Sequence, residues 1–154
     1  MAKAAAVTLD IHATCIAFGA TGVLLRGPSG AGKSDLALRL IEGGATLVAD
    51  DRVHLARDGD RLIATSPDAL VGLIEVRGLG IVRLAADRCR ARVGIALVCD
   101  LVAPVAVERL PEPLCEEILG LSVPRLMLAP FEATAPAKVR LAAGAGPGSI
   151  MVGA

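Results

Sequence analysis

Residues 27–34, Gly27-Pro28-Ser29-Gly30-Ala31-Gly32-Lys33-Ser34, fit the phosphate-loop pattern G-x-x-x-x-G-K-[ST] and restrict the fold more than any other stretch of the chain. Glycines let the backbone turn its N–H groups inward, into a concave nest that suits an anion. The flanks fit. Val23, Leu24 and Leu25 form an apolar run before the loop, and Leu36, Leu40 and Ile41 recur at helical spacing after it. A helix starting at the loop turns its dipole toward the same anion. Lys33 is placed to reach β- and γ-phosphates, and the Ser34 hydroxyl to bind Mg²⁺. Gly43-Gly44 is expected to stop the helix.

The rest of the composition narrows the class. At 154 residues and 54% apolar content the chain is long enough for one domain with a real core. Lys+Arg and Asp+Glu both number 16, so the formal net charge is zero. Nothing here attracts nucleic acid or a membrane surface. There is no Trp or Tyr and only two Phe, Phe18 and Phe131, so a base-stacking row of aromatics is not available. The four cysteines, at 15, 89, 99 and 115, form no C-x-x-C pair, and the two histidines are not spaced as metal ligands. They read as free thiols of a reducing, cytoplasmic compartment. The most apolar window, 93–107, is broken by Asp100 and Pro104 and is not a membrane span.

Along the chain, 4–9 and 12–18 read as two strands that pair, and 46–49 as the strand after the loop helix. Asp58-Gly59-Asp60 marks a hairpin between 52–56 and 61–65. A short strand is expected toward Val76, a glycine turn at 77–80, then strands at 81–84 and 92–100. Pro111 and Gly120 bracket an expected short helix over 111–119. Strands are expected at 122–128 and 137–141. The single domain is taken as 1–141, with 142–154 a small-residue, Gly-rich tail expected to be disordered. One long helix among many strands departs from the alternation of a parallel sheet. The expected class is α/β, with a mixed, largely antiparallel sheet around the phosphate loop.

Phosphoryl chemistry at such a loop needs acidic groups to hold metal and to orient or deprotonate the acceptor. Asp50 and Asp51 close the strand after the loop helix, Glu75 precedes Val76-Arg77-Gly78, and Asp100 ends the apolar run 94–99. An apolar strand ending in Asp is the usual metal-holding element of ordinary phosphate-loop proteins, which recommends Asp100; a strand-terminal Asp also caps turns. Adjacent carboxylates in an extended segment point to opposite faces, so one of Asp50 and Asp51 is expected to face the phosphates. His12 lies in an apolar stretch, and His54 alternates with Val53 and Leu55 toward solvent.

Four segments together resemble the catalytic domain of the HPr kinase/phosphorylase family: His12, the loop Gly27–Ser34, Leu47-Val-Ala-Asp-Asp51, and Ile74-Glu-Val-Arg-Gly-Leu-Gly-Ile81. Leu121-Ser-Val-Pro-Arg125 also looks familial, and the likeness covers roughly residues 8–130. The resemblance implies the mixed-sheet phosphate-loop fold shared with phosphoenolpyruvate carboxykinases. It implies ATP and Mg²⁺ as cofactors, and phosphorylation of a serine on HPr, a small phosphocarrier of the sugar phosphotransferase system. The reverse reaction uses inorganic phosphate and releases pyrophosphate. It gives Asp50 the acid/base role, with Asp51 its neighbour and His12 beside both. Gly27 to Ser34, Lys33 included, hold the phosphates. Ser34, Glu75 and Asp50 serve the metal. Arg77, Gly78 and Gly80 lie toward the partner protein, and family members form homo-hexamers.

The chain also departs from the family. Only about eleven residues precede His12, where the family carries a large N-terminal domain. The basic C-terminal helix and an arginine-bearing loop are replaced by Ala129-Pro-Phe-Glu-Ala-Thr-Ala-Pro-Ala-Lys138. Kinase chemistry is therefore expected to survive while phosphorolysis is weak and hexamer formation is open. Two other readings compete: an ordinary phosphate-loop small-molecule kinase or NTPase using Asp100, and a nucleotide-binding sensor without catalysis.

Overall fold

The computed structural model describes residues 7–151. Eleven strands and two helices follow in the order β1 (Thr8–Ile11), β2 (Thr14–Phe18), β3 (Thr21–Arg26), α1 (Lys33–Glu42), β4 (Thr46–Ala49), β5 (Val53–Asp58), β6 (Arg61–Thr65), β7 (Leu73–Val76), β8 (Gly80–Arg83), β9 (Arg92–Leu101), β10 (Leu114–Ile118), β11 (Leu121–Leu128) and α2 (Ala135–Ala142). Nine strands form one sheet, running β1-β5-β6-β9-β3-β2-β4, with β11 also paired to β9 and β10 to β11. β7 and β8 form a separate two-stranded hairpin. Among the strand pairs only β3–β9 and β9–β11 are parallel and the rest are antiparallel; an isolated parallel bridge joins Leu47 to Cys89. The expected mixed, largely antiparallel α/β class is what the chain adopts.

β9 is the spine. Its first residues pair with β6, its last four with β11, and its opposite edge follows β3 from Gly94 to Asp100. Side chains alternate along these strands, so each strand serves two cores. Ile16, Val23, Leu25, Leu97, Cys99 and Leu101 face α1 and α2, where they meet Leu36, Leu40, Ile41 and Val139. Cys15, Ala17, Leu24 and Val98 face the other way and pack with Val48, Val53, Leu55, Leu62 and Val123. The spacing of Leu36, Leu40 and Ile41 thus does what it suggested: it puts one side of α1 on the sheet below the glycine loop.

Three expectations are corrected. Residues 8–11 and 14–18 are strands, but they do not pair with each other: β1 pairs with β5, and β2 sits between β3 and β4. The expected strand over 4–9 falls partly outside the described residues, as do 152–154 of the tail. The expected helix over 111–119 is instead β10. Leu119 and Gly120 both have positive φ (49° and 81°), the signature of a two-residue primed turn joining β10 to β11. Gly120 is therefore a hairpin residue, and it only resembled a helix stop. The expected strand at 137–141 is helix α2. Pro136 sits in its first turn, where no donor is needed, and Ala135 and Val139 are buried one turn apart against α1. Residues 143–151 follow α2 without regular structure.

The four cysteines are free, with Cys15 and Cys99 fully buried in the sheet. Among the described residues no helix is long and apolar enough to cross a membrane.

Candidate active site

The glycine loop leaves β3 and enters α1 with Gly30 (φ 81°) and Gly32 (φ 98°) in the left-handed region, a conformation a side chain would strain. Lys33, 7% exposed, folds back so that its Nζ donates to the Gly27 and Pro28 carbonyls (2.7 and 3.0 Å). The Pro28 carbonyl also accepts the Ala31 N–H (3.0 Å), and Ala31 itself packs toward the core. Ser29, Gly30, Gly32, Lys33 and Ser34 line a cavity of about 390 Å³. His12, Asp51, Glu75, Arg77 and Phe131 also stand in its wall.

Asp50 and Asp51 have opposite environments. Asp50 is 5% exposed. Its Oδ1 accepts the Thr14 hydroxyl (2.9 Å) and the Ser34 hydroxyl (2.7 Å), and its Oδ2 accepts the Glu75 backbone N–H (2.9 Å). One carboxylate therefore ties together β2, the loop helix and β7. All three donors are neutral, so the charge is solvated by dipoles and is not cancelled. Asp51 has φ 68°, and the Arg52 N–H donates to the Asp50 carbonyl (2.8 Å) across it, closing a tight turn. Such a conformation costs a non-glycine residue about 1 kcal/mol or more and turns up at functional sites. It rolls the Asp51 side chain out into the cavity, where Oδ1 lies 2.7 Å from His12 Nε2, the imidazole N–H donating. His12 lies between β1 and β2, half exposed. His54, by contrast, pairs with Asp10 (2.6 Å) on the outer edge of the sheet, away from the cavity.

The β7–β8 hairpin brings the signature segment to the mouth. Glu75 and Arg77 line the cavity; Gly78 and Gly80 form the exposed turn beyond it, with Leu79 at the tip 80% exposed. Among the described residues no cluster of three or more His, Cys, Asp or Glu is built to hold a metal alone. Ser34 Oγ and Asp50 Oδ1 lie 2.7 Å apart, Glu75 meets Asp50 through its backbone N–H and lines the cavity, and all three side chains offer oxygens only. A set of few hard oxygens suits Mg²⁺, which retains waters and takes phosphate oxygens to complete its shell.

Asp100 is elsewhere. It closes β9 beside Arg26, its register partner on β3, and both carboxylate oxygens are occupied: Arg26 Nε donates to Oδ1 (2.8 Å), Arg26 Nη2 to Oδ2 (3.1 Å), and Arg125 Nε also to Oδ2. Arg26 further holds Glu116, with Nη2 to Oε1 at 2.8 Å. Burial pushes the Asp100 carboxyl up, but the hydrogen bonds from Arg26 and Arg125 outweigh it and hold it below the ordinary carboxylate range. The Arg26 hydrogen bond does the same for Glu116. Asp100 does not line the cavity.

Two contributors escaped the sequence reading. Thr14 is fully buried and orients Asp50; a lone polar residue in an apolar strand was its only signal. Phe131 stands over the loop, on a segment noted only for the arginine it lacks.

Fold and site define a mixed-sheet α/β protein whose glycine loop opens onto an acid-lined cavity. Residues 3–139 match the family described as HPr Serine kinase C-terminal domain, and the chain belongs to that family. It is 37% identical over 137 residues to the HPr kinase/phosphorylase of Bordetella avium, covering 83% of this chain and 44% of that one. It is 41% identical over 101 residues to the HPr kinase/phosphorylase of Bacillus velezensis, covering 62% and 33%. The HPr(Ser) kinase/phosphatase of Coxiella burnetii has a similar structure, with a TM-score of 0.76 at 30% identity over 85% of this chain and 86% of that chain. The chain spans less than half the length of the Bordetella and Bacillus relatives.

Proposed function

We propose that this chain is an ATP-dependent serine kinase domain acting on HPr in the cytoplasm. The observation that carries the reading is one cavity wall: Lys33 and Ser34 of the glycine loop, the Asp51–His12 pair, and Glu75 with Arg77 of the signature hairpin. Gly27 to Ser34 receive the nucleotide phosphates, with Lys33 exchanging its loop carbonyls for phosphate oxygens. Ser34, Asp50 and Glu75 are the residues to hold Mg²⁺, which supplies charge neutralisation at those oxygens.

A serine hydroxyl is a poor nucleophile while it keeps its proton, and a carboxylate within hydrogen-bond reach takes that proton as the new bond forms. The resemblance assigns this to Asp50. The geometry favours Asp51: it faces the cavity, whereas Asp50 already accepts three hydrogen bonds. His12 orients Asp51 and offsets its charge. Arg77, with Gly78 and Gly80 behind it, presents the hairpin to the partner protein.

Reverse phosphorolysis is expected to be weak. In the segment replacing the arginine-bearing loop, Lys138 is paired with Glu132 (2.8 Å), and Arg39 of α1 is engaged by Asp35 and by the Pro130 and Glu132 carbonyls. The reading of Asp100 as metal ligand is disfavoured by its two arginines.

The test is incubation with Mg-ATP and HPr, followed by mass spectrometry of HPr. Gain of one phosphoryl group on a serine supports the kinase. ATP hydrolysis without transfer points to an NTPase, and nucleotide binding without turnover to a sensor; either result sinks the proposal.

A further inference from the structure

β3, β9 and β11 are mutually parallel, so their C-terminal ends lie along one edge, the place where open α/β sheets receive ligands. The chain leaves β3 as the glycine loop and leaves β11 as residues 129–134. The two exits touch. A Cβ built on Gly32 would lie 2.8 Å from Phe131 Cζ and 3.0 Å from Cε1, so the ring rests directly on the loop backbone. Yet Phe131 is 70% exposed and lines the cavity.

Its segment is held from three sides. Arg39 of α1 donates to the Pro130 and Glu132 carbonyls, the Glu132 carbonyl also accepts the Ala135 N–H (3.1 Å), and the Glu132 carboxylate pairs with Lys138. An apolar ring left largely to water gains little from burial. A ring fixed in that position, on the phosphate loop, offers a flat preorganised face to a planar group attached to the phosphates.

We propose that Phe131 is the nucleoside contact of this site, stacking on the base of the nucleotide whose phosphates occupy Gly27–Ser34. The proposal rests on the reading of that loop as a nucleotide site. Stacking is tolerant of base identity because every base has a π-face. Phe131 therefore adds affinity for the nucleoside end without choosing adenine over guanine.

The experiment titrates wild type, Phe131→Ala and Phe131→Trp with Mg-ATP, Mg-GTP and Mg-tripolyphosphate by calorimetry. Phe131→Ala is expected to weaken ATP and GTP alike, by roughly ten- to a hundredfold, and to leave tripolyphosphate unchanged; Phe131→Trp should restore both nucleotides. Parallel loss of tripolyphosphate would mean that the ring only shapes the loop, and unchanged ATP affinity would mean that the base lies elsewhere; each overturns the contact. Wild type that binds neither ATP nor tripolyphosphate overturns the loop reading itself, and this proposal with it.

Discussion

The ends of β4 and β9 look alike as sequence: an apolar strand running into aspartate, at Asp50 and at Asp100. Their surroundings differ in kind. Asp50 meets two hydroxyls and a backbone N–H, and the next residue, Asp51, faces an open cavity. Asp100 meets two guanidinium groups that take both of its oxygens. Neutral donors leave a carboxylate its charge to spend on a ligand; two arginines cancel it. Two carboxylates at equivalent strand ends thus differ in what they leave free: Asp100 is clamped by arginines, and Asp50 keeps an uncancelled charge next to the cavity-facing Asp51, which is what the proposed site rests on.

The sharpest way to break this contrast is at Asp51. Asp51→Asn keeps the shape and removes the proton acceptor, so transfer to HPr is expected to fall by roughly two to four orders of magnitude, with Mg-ATP affinity little changed by calorimetry. Normal transfer in Asp51→Asn together with a dead Asp50→Asn would move the acid/base role back to Asp50. Asp50→Asn is itself expected to act differently. Its amide turns a donor toward groups that need an acceptor, so it should lower stability by about 1–3 kcal/mol and weaken Mg-ATP binding by disturbing Ser34. Denaturant unfolding and calorimetry on the same variant check both parts. A fully stable Asp50→Asn would show that β2, α1 and β7 do not depend on this carboxylate.

Much of the site was legible because its residues are close in sequence and chemically restricted. Gly30, Gly32, Lys33 and Ser34 could be placed from spacing alone, and the Asp50-Asp51 pair from its position after the loop helix. What was not legible depends on contacts between distant strands. Nothing local says that Arg26 will lie in register with Asp100, 74 residues away, so the sequence leaves Asp100 readable either as a metal ligand or as a turn cap. Opposite faces for Asp50 and Asp51 followed from the strand period, but the positive φ that turns Asp51 into the cavity did not. β10 was misread because a leucine, not Asn or Asp, precedes Gly120 in its primed turn. α2 was misread because five residues of alternating size resemble a strand, while its burial interval of four appears only with Ala135 included.

The clamp can be tested by removing its centre. Asp100→Asn leaves Arg26 and Arg125 partly uncompensated at a half-buried position, and a loss of about 1–2 kcal/mol is expected, between the values for exposed and buried pairs. Mg-ATP affinity and transfer should stay at wild-type levels. Loss of nucleotide binding at full stability would invert the comparison and return Asp100 to the metal.

Acid titration gives the smallest effect and separates the two ends without touching the site. Asp100 and Glu116 both ionise more readily in the folded chain than in the unfolded one, because Arg26 and Arg125 bond the charged forms. A depressed carboxyl contributes stability above its unfolded value, near pH 4, and loses it as the pH falls through the lower folded value. The stability gap between wild type and Glu116→Gln should therefore be present at pH 7 and shrink below about pH 4. Glu116 is nearly a third exposed, so solvent screens the pair and the gap should not exceed about 1 kcal/mol. The gap is also expected to narrow in high salt, since part of the pair is open to counterions. Denaturant midpoints of the two proteins measured from pH 7 to pH 3 check this. A gap that widens on acidification would mean that Glu116 is held in its protonated form, and that Arg26 gives its charge to Asp100 alone.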